Sequence, residues 1–252
     1  MFEASRAVSF WPKQSESYLE MKRLLRDKLV YIATVNLHVF PEVYQLDTPK
    51  YPLCVTPSLS YIGKSSSRIT SIMSCPEINI PYAKFDLQHV LVDPQTRKPS
   101  AIPEWWMQKY GNIRPEIGQP LKMENLKRPI SFLSHEFTVH PGDCDEYQHT
   151  SWKNYGNFCY EACCVFVCRS LYRNVNRESL DFGLKSMTVS YRKESTELEK
   201  LNLYSWEDDT ITNKVFFEIQ NQNKEICCQA SIEFYSENPA VSKIRENTSS
   251  KL

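Results

Sequence analysis

Proline is spread so unevenly along this chain that it divides it. Fourteen of the 15 prolines lie at or before Pro141 and the other is Pro239, so nothing between Gly142 and Asn238 breaks a helix or a strand. The second half therefore reads as one uninterrupted fold, and the first half as a set of shorter pieces.

In the uninterrupted part the hydrophobic period changes twice. Ser134–His140 reads as a strand. Trp152 to about Tyr172 reads as a helix, apolar almost all round at Phe158, Cys159, Ala162, Cys163, Cys164, Val165, Phe166 and Val167, a pattern that predicts enclosure. Strand-like alternation follows at Met187, Val189 and Tyr191, at Leu201 and Leu203, at Val215, Phe217 and Ile219, and at Ile226, Cys228, Ala230, Ile232 and Phe234. The last two runs are joined by a hairpin-like turn, Asn221–Lys224. A strand, a buried helix and about four antiparallel strands predict a sheet wrapped around one long helix, the hotdog arrangement.

The first half repeats the plan in worn form. Ser17 and Glu20 are spaced as a capping box for a helix carrying Tyr18, Met21, Leu24 and Leu25. An irregular, proline-containing stretch follows, then strand-like runs at 59–62, 69–73 and 85–92, and 93–103 closes the unit. The opening strand and acidic loop of the second half have no counterpart here. With 252 residues, 41% hydrophobic, the chain is long enough for two cores of about 100 to 130 residues each. The expected class is α+β, a tandem (double) hotdog with a degenerate first copy: 1–103 the N-terminal copy, 104–130 a connector, 131–236 the C-terminal copy, and 237–252 a polar tail. Trp105 and Trp106 in the connector are candidates for exposure, although packing of the connector onto a domain is the simpler use.

Thirty basic residues balance 30 acidic ones, which leaves no electrostatic footprint for nucleic acid or for an anionic membrane. The apolar runs fall far short of the roughly 18 residues that span a bilayer, and the N-terminal stretch lacks the apolar segment of a secretory signal. A soluble protein with reduced thiols is expected. Of its nine cysteines, Cys159, Cys163, Cys164 and Cys168 sit at helical spacing as small hydrophobes, and Cys227 and Cys228 face opposite sides of a strand.

Chemistry concentrates in "HPGDCDEYQHTSWKNY", His140–Tyr155. A carboxylate just ahead of a helix N-terminus can attack a carbonyl or activate water, while first-turn N–H groups point toward the developing oxyanion. Thr150 or Ser151 is placed to cap that helix. Asp143 and Asp145 read equally well as plain turn residues. His140, Asp143, Cys144, Asp145 and His149 supply metal-ligand atoms, but no metal-binding spacing organises them, so neither a metal nor any other cofactor is expected.

These motifs carry a resemblance. "GDCD", "NY" and "FCYEAC" resemble the active-site segment of 4-hydroxybenzoyl-CoA thioesterases. "DCDEYQH" with "VSYRKES", Val189–Ser195, is similar to the acyl-acyl-carrier-protein thioesterases, which are tandem hotdogs. The resemblance covers about residues 134–235 in sequence and is only architectural before 130. It implies Asp145 as the catalytic aspartate, as general base or nucleophile, with His149 and Glu194 as the motif histidine and downstream glutamate. Tyr147 stands where those enzymes have asparagine. Tyr147, Thr150, Ser151, Trp152 and Tyr155 are the expected substrate-binding residues. Glu194 follows Arg192 and Lys193, so a surface ion pair is the rival reading there.

The chain ends in Ser250-Lys251-Leu252, the address read by the peroxisomal import receptor. It predicts a peroxisomal matrix protein with a cytosolic pool before import, and by context favours acyl-CoA over acyl-carrier protein as substrate. The expected activity is that of an acyl-CoA thioesterase of fatty-acid metabolism, with homo-oligomerisation through the hotdog sheets left open. Two alternatives stand beside it: a non-catalytic hotdog that binds acyl-CoA or acts as a scaffold, and a hotdog enoyl-CoA hydratase or dehydratase.

Overall fold

A computed structural model describes residues 17–112, 119–145 and 148–240. Tyr147 and the terminal Ser250-Lys251-Leu252 lie outside the described residues. The chain forms two compact units, one of residues 1–35 and 51–122, the other of residues 36–50 and 123–252. The division between the units falls within the connector expected at 104–130.

The second unit contains strand β5 (Leu133–Thr138), the long helix α3 (Trp152–Cys168), the short α4 (Arg177–Phe182) and strands β6 (Leu184–Tyr191), β7 (Lys200–Glu207), β8 (Lys214–Asn221) and β9 (Ile226–Phe234). The strands lie in the order β6-β9-β8-β7-β5, with antiparallel pairing of β6 on β9, β9 on β8, β8 on β7 and β7 on β5. Large and small side chains alternate in that register, Phe217 opposite Ala230 and Ile219 opposite Cys228. The fold is the expected sheet and helix, with the strands where the alternation put them.

The helix departs from expectation in two ways. It is not enclosed all round: Tyr155, Cys159, Ala162, Cys163 and Phe166 pack on the sheet, while Lys153, Asn157, Tyr160, Glu161 and Cys168 are exposed. It also stops at Cys168, four residues before the expected end. Ser170 takes a left-handed φ of 54°, its N–H reaches the Val167 carbonyl at 2.9 Å, and the Leu171 N–H reaches the Phe166 carbonyl at 3.0 Å. That is a Schellman stop with serine in the place glycine usually holds.

Beyond the stop, three consecutive backbone N–H groups, of Arg173, Asn174 and Val175, converge on the Glu207 carboxylate at the end of β7, at 2.8, 2.6 and 3.0 Å. Residues 36–50 belong to this unit through Tyr44, whose hydroxyl donates to the Leu184 carbonyl at 2.8 Å. The Tyr44 ring lies so close to Gly183, at φ 95°, that a Cβ would collide with it.

The first part of the connector to be counted here, from Met123, lies over the outer face of β8 and β9. Gln229 both accepts from the Leu126 N–H (3.2 Å) and donates to the Leu126 carbonyl (2.9 Å). The Arg128 guanidinium lies 3.6 Å from the buried Glu218 carboxylate and 3.8 Å from the centre of the Tyr204 ring. A polar outer sheet face is thus covered by chain that satisfies it.

The first unit holds α1 (Met21–Leu24), β1 (Leu29–Val39) up to Val35, β2 (Cys54–Ile62), β3 (Ser66–Cys75), β4 (Ile80–Val92) and α2 (Glu104–Tyr110). Its strand order, β1-β4-β3-β2, repeats β6-β9-β8-β7, and among the described residues no strand matches β5. The central helix is reduced to the single turn of α1. Apolar bulk comes instead from α2: Trp106 is 1% exposed, packed with Met21, Leu24, Leu59, Ile69 and Leu91, and donates from its indole N–H to the Leu19 carbonyl at 2.8 Å. Trp106 is thus a core residue, and Trp105 is half-buried with the Arg23 guanidinium 4.1 Å from its ring centre.

The capping box does not form. Ser17 Oγ accepts from the Lys22 N–H at 2.9 Å, and the Glu20 carboxylate binds Lys109 at 2.6 Å and the Tyr110 hydroxyl at 3.1 Å. Among the described residues no helix is long and apolar enough to cross a membrane.

Candidate active site

The site is assembled where β5 runs into α3 and where β6 runs into β7. After β5, the chain turns through a short 3-10 element, Pro141–Asp143. The Asp143 carboxylate accepts from the His140 N–H at 3.0 Å, His140 Nδ1 accepts from the Gly142 N–H at 3.0 Å, and the Asp143 carbonyl accepts from the Ser151 N–H at 2.8 Å and from Asn154 Nδ2 at 2.9 Å. Asp143 is therefore a turn residue that ties the loop to the first turn of the helix.

Asp145 is placed differently. It is exposed, and the loop closes on it: its N–H donates to the His149 carbonyl at 2.8 Å and its Oδ1 accepts from the His149 N–H at 3.3 Å. Gln148, at φ 64°, makes the return.

From His149 the chain zips onto the β6–β7 connection. His149 bridges Thr196, and the Thr150 N–H donates to the Ser195 carbonyl at 2.8 Å. That pairing sets His149 Nε2 at 3.5 Å from Glu194 Oε2. The rival ion pairs of Glu194 with its neighbours do not occur, because Lys193 binds Glu225 and Arg192 donates to Asn125 Oδ1 at 2.6 Å. His149 and Glu194 thus meet by their side chains, and Asp145 joins them through the His149 backbone N–H, in the loop ahead of α3, whose N-terminal dipole favours negative charge.

Of the residues expected to bind substrate, Thr150, Ser151, Trp152 and Tyr155 are described. Thr150 and Tyr155 are 7% and 3% exposed, and their hydroxyls lie 2.7 and 2.8 Å from Ser195 Oγ. Both side chains face the interior of the unit. Ser151 occupies the cap position of α3 but makes no side-chain capping bond; its N–H is spent on the Asp143 carbonyl. Trp152 is half-buried, and its carbonyl accepts from the Tyr191 hydroxyl at 2.8 Å.

Ser195, fully buried, is the residue the sequence did not single out. The available signal was a small hydroxyl next to Glu194 at the end of a strand, facing a Thr and a Tyr at the helix entry. Cys144, in the same loop, is a poor nucleophile: burial first, then the Glu197, Asp143 and Asp145 carboxylates, push its thiol pKa up. Among the described residues no group of three or more His, Cys, Asp or Glu side chains is arranged to hold a metal ion.

No protein-family model matches this sequence, and no curated protein matches it. Solved structures do. An acyl-ACP thioesterase from Bacteroides thetaiotaomicron superimposes with a TM-score of 0.60 at 13% identity, over 92% of this chain and 83% of the other. The 12:0-ACP thioesterase from Umbellularia californica gives 0.61 at 16% identity, over 92% and 86%. At such identities the likeness is one of fold, and it extends over both units.

Proposed function

We propose that the protein is a thioester hydrolase acting on acyl-CoA. What supports this reading is the His149–Glu194 contact next to a loop closed on the Asp145 carboxylate just ahead of α3, on a fold shared with acyl-ACP thioesterases.

In this reading Asp145 takes a proton from water, and the resulting hydroxide adds to the thioester carbonyl. First-turn N–H groups of α3 favour the oxyanion. Collapse breaks the C–S bond, and the CoA thiolate leaves and is protonated, giving free acid and CoA. The thiol is a good leaving group, since thiols ionise at about pH 8.5. His149, held by Glu194, orients the water or the carboxylate. The preference for CoA over a carrier protein rests on the Ser250-Lys251-Leu252 address, which also supports a peroxisomal location.

The test is hydrolysis of a panel of acyl-CoA and acyl-carrier-protein esters by wild type and Asp145→Asn. Wild type should turn over CoA esters, and the variant should lose at least about 100-fold in kcat while keeping its fold. Equal turnover by the variant removes Asp145 from the reaction.

Tyr147, where the acyl-acyl-carrier-protein enzymes carry asparagine, favours a second reading, a hotdog that binds acyl-CoA without hydrolysing it. Saturable binding with no release of free CoA across the panel would establish it.

A further inference from the structure

Three hydroxyls buried together at the entry of α3 require an explanation. Unpartnered, each would carry a desolvation cost that an apolar side chain of similar size avoids. They are fully partnered: Thr150 Oγ1 lies 2.7 Å and the Tyr155 hydroxyl 2.8 Å from Ser195 Oγ, which joins them. Burial pushes the Tyr155 pKa up, so its hydroxyl remains a proton donor throughout the neutral range.

The position of this chain in sequence gives it a use. Thr150 directly follows His149, and Ser195 directly follows Glu194. In extended segments neighbouring side chains point to opposite faces, so an inward Thr150 directs His149 outward, and an inward Ser195 does the same for Glu194. The backbone bond from the Thr150 N–H to the Ser195 carbonyl fixes the two segments in register, and Tyr155 adds the helix as a third anchor. The flanking Lys193–Glu225 ion pair holds the same connection from the other side.

We propose that the buried chain Thr150–Ser195–Tyr155 positions the His149 imidazole against the Glu194 carboxylate, which makes Ser195 and Tyr155 positioning residues of the site. The proposal rests on the thioester-hydrolase reading for its kinetic consequence, but its geometry stands without it. In this proposal the three hydroxyls act through His149 and Glu194.

Four single variants test it: Tyr155→Phe, Thr150→Val, which keeps the shape and removes the hydroxyl, Thr150→Ser, which keeps the hydroxyl, and Ser195→Ala. Displacing a group by about 1 Å can cost on the order of 100-fold, so Tyr155→Phe and Thr150→Val should lose about 10- to 100-fold in kcat with KM unchanged. Thr150→Ser should retain wild-type kcat. In a His149→Ala background Tyr155→Phe should bring no further loss, because it acts through the imidazole.

Wild-type rates in Thr150→Val and Tyr155→Phe would overturn the proposal. So would an equal loss from Tyr155→Phe with and without His149, or a loss confined to Ser195→Ala, which would make the serine a reacting group. Amide exchange at Asp145 and Thr150, and the His149–Glu194 contact seen by NMR, give a readout free of activity. If wild type proves inactive, the hydrolase reading fails while these still decide: faster exchange and a lost contact in Tyr155→Phe support the relay, and unchanged values refute it.

Discussion

Removing the Glu207 carboxylate should loosen the far end of α3. Oε1 accepts from Asn174 N–H at 2.6 Å and Val175 N–H at 3.0 Å, and Oε2 accepts from Arg173 N–H at 2.8 Å. The three donors differ in what they lose. Arg173 is exposed and water replaces its partner, Asn174 is half-buried, and Val175 is 2% exposed and is left with an unpaired N–H. A buried unpaired donor costs about 1–3 kcal/mol, and a hydrogen bond to a charged group contributes about 1.5–3 kcal/mol net. Glu207→Ala should therefore cost about 3 kcal/mol, discounted from the sum of three bonds because two donors are recaptured by solvent. Glu207→Gln keeps one carbonyl oxygen for Asn174 and Val175 and should cost about 1 kcal/mol. In thermal unfolding followed by circular dichroism, these correspond to falls in Tm of about 6–12 °C and about 2–4 °C. If Glu207→Ala melts within a degree of wild type, the carboxylate is not holding the turn. If Gln costs as much as Ala, charge rather than acceptor geometry is the cause.

Two further outcomes follow from the same unit. Ser170→Gly should raise stability by up to about 1 kcal/mol, because the left-handed φ of 54° is unfavourable for a residue with a Cβ and open to glycine; a fall in the denaturation midpoint would show that the serine side chain contributes there. Tyr44 has its hydroxyl pKa raised to about 12, chiefly by burial. A raised pKa means that the folded state favours the neutral phenol, so its contribution is intact below the ordinary tyrosine pKa of about 10 and is lost as pH climbs toward 12. Tyr44→Phe should flatten the stability loss over that window, measured as denaturation midpoint against pH, and an unchanged slope would count against the assignment.

What the sequence disclosed was the part of the molecule governed by period. Strands β6 to β9 alternate because one face meets α3, and the loop before the helix could be found because carboxylates and histidine cluster there. Strand β1, "LVYIATVNLHV", is less legible because it opens on a continuous apolar run and alternates only from Val35, and only Thr34 and Val35 along it are buried. Trp106 lay in a polar, proline-dotted stretch, and nothing local indicated that it would fill the core of a unit that lacks a long helix. The end of α3 was overrun because Ser170 is not a sequence signal for a left-handed stop. Ser195 carries only the weak signal of a small hydroxyl beside Glu194, because its importance comes from pairing with Thr150, a contact spanning 45 positions.

The contrast between the units bears on how many sites one chain can carry. The strand order of the second unit recurs in the first, but the described part of the first has neither the opening strand nor a helix longer than α1 and α2 ahead of or behind its strands. A carboxylate can be aimed at a helix N-terminus only where the loop from such a strand enters such a helix. Helices of one or two turns also offer little dipole at their ends. In the second unit the same helix is fixed at both ends, by Thr150, Ser195 and Tyr155 at its entry and by Ser170 and Glu207 beyond its exit. Gly156 lets it approach β6 closely, since a Cβ there would lie 3.1 Å from Met187 Sδ. A group placed at the end of an element so constrained keeps its geometry, and under the proposed function a chain with one such element among its described residues should titrate with one active site.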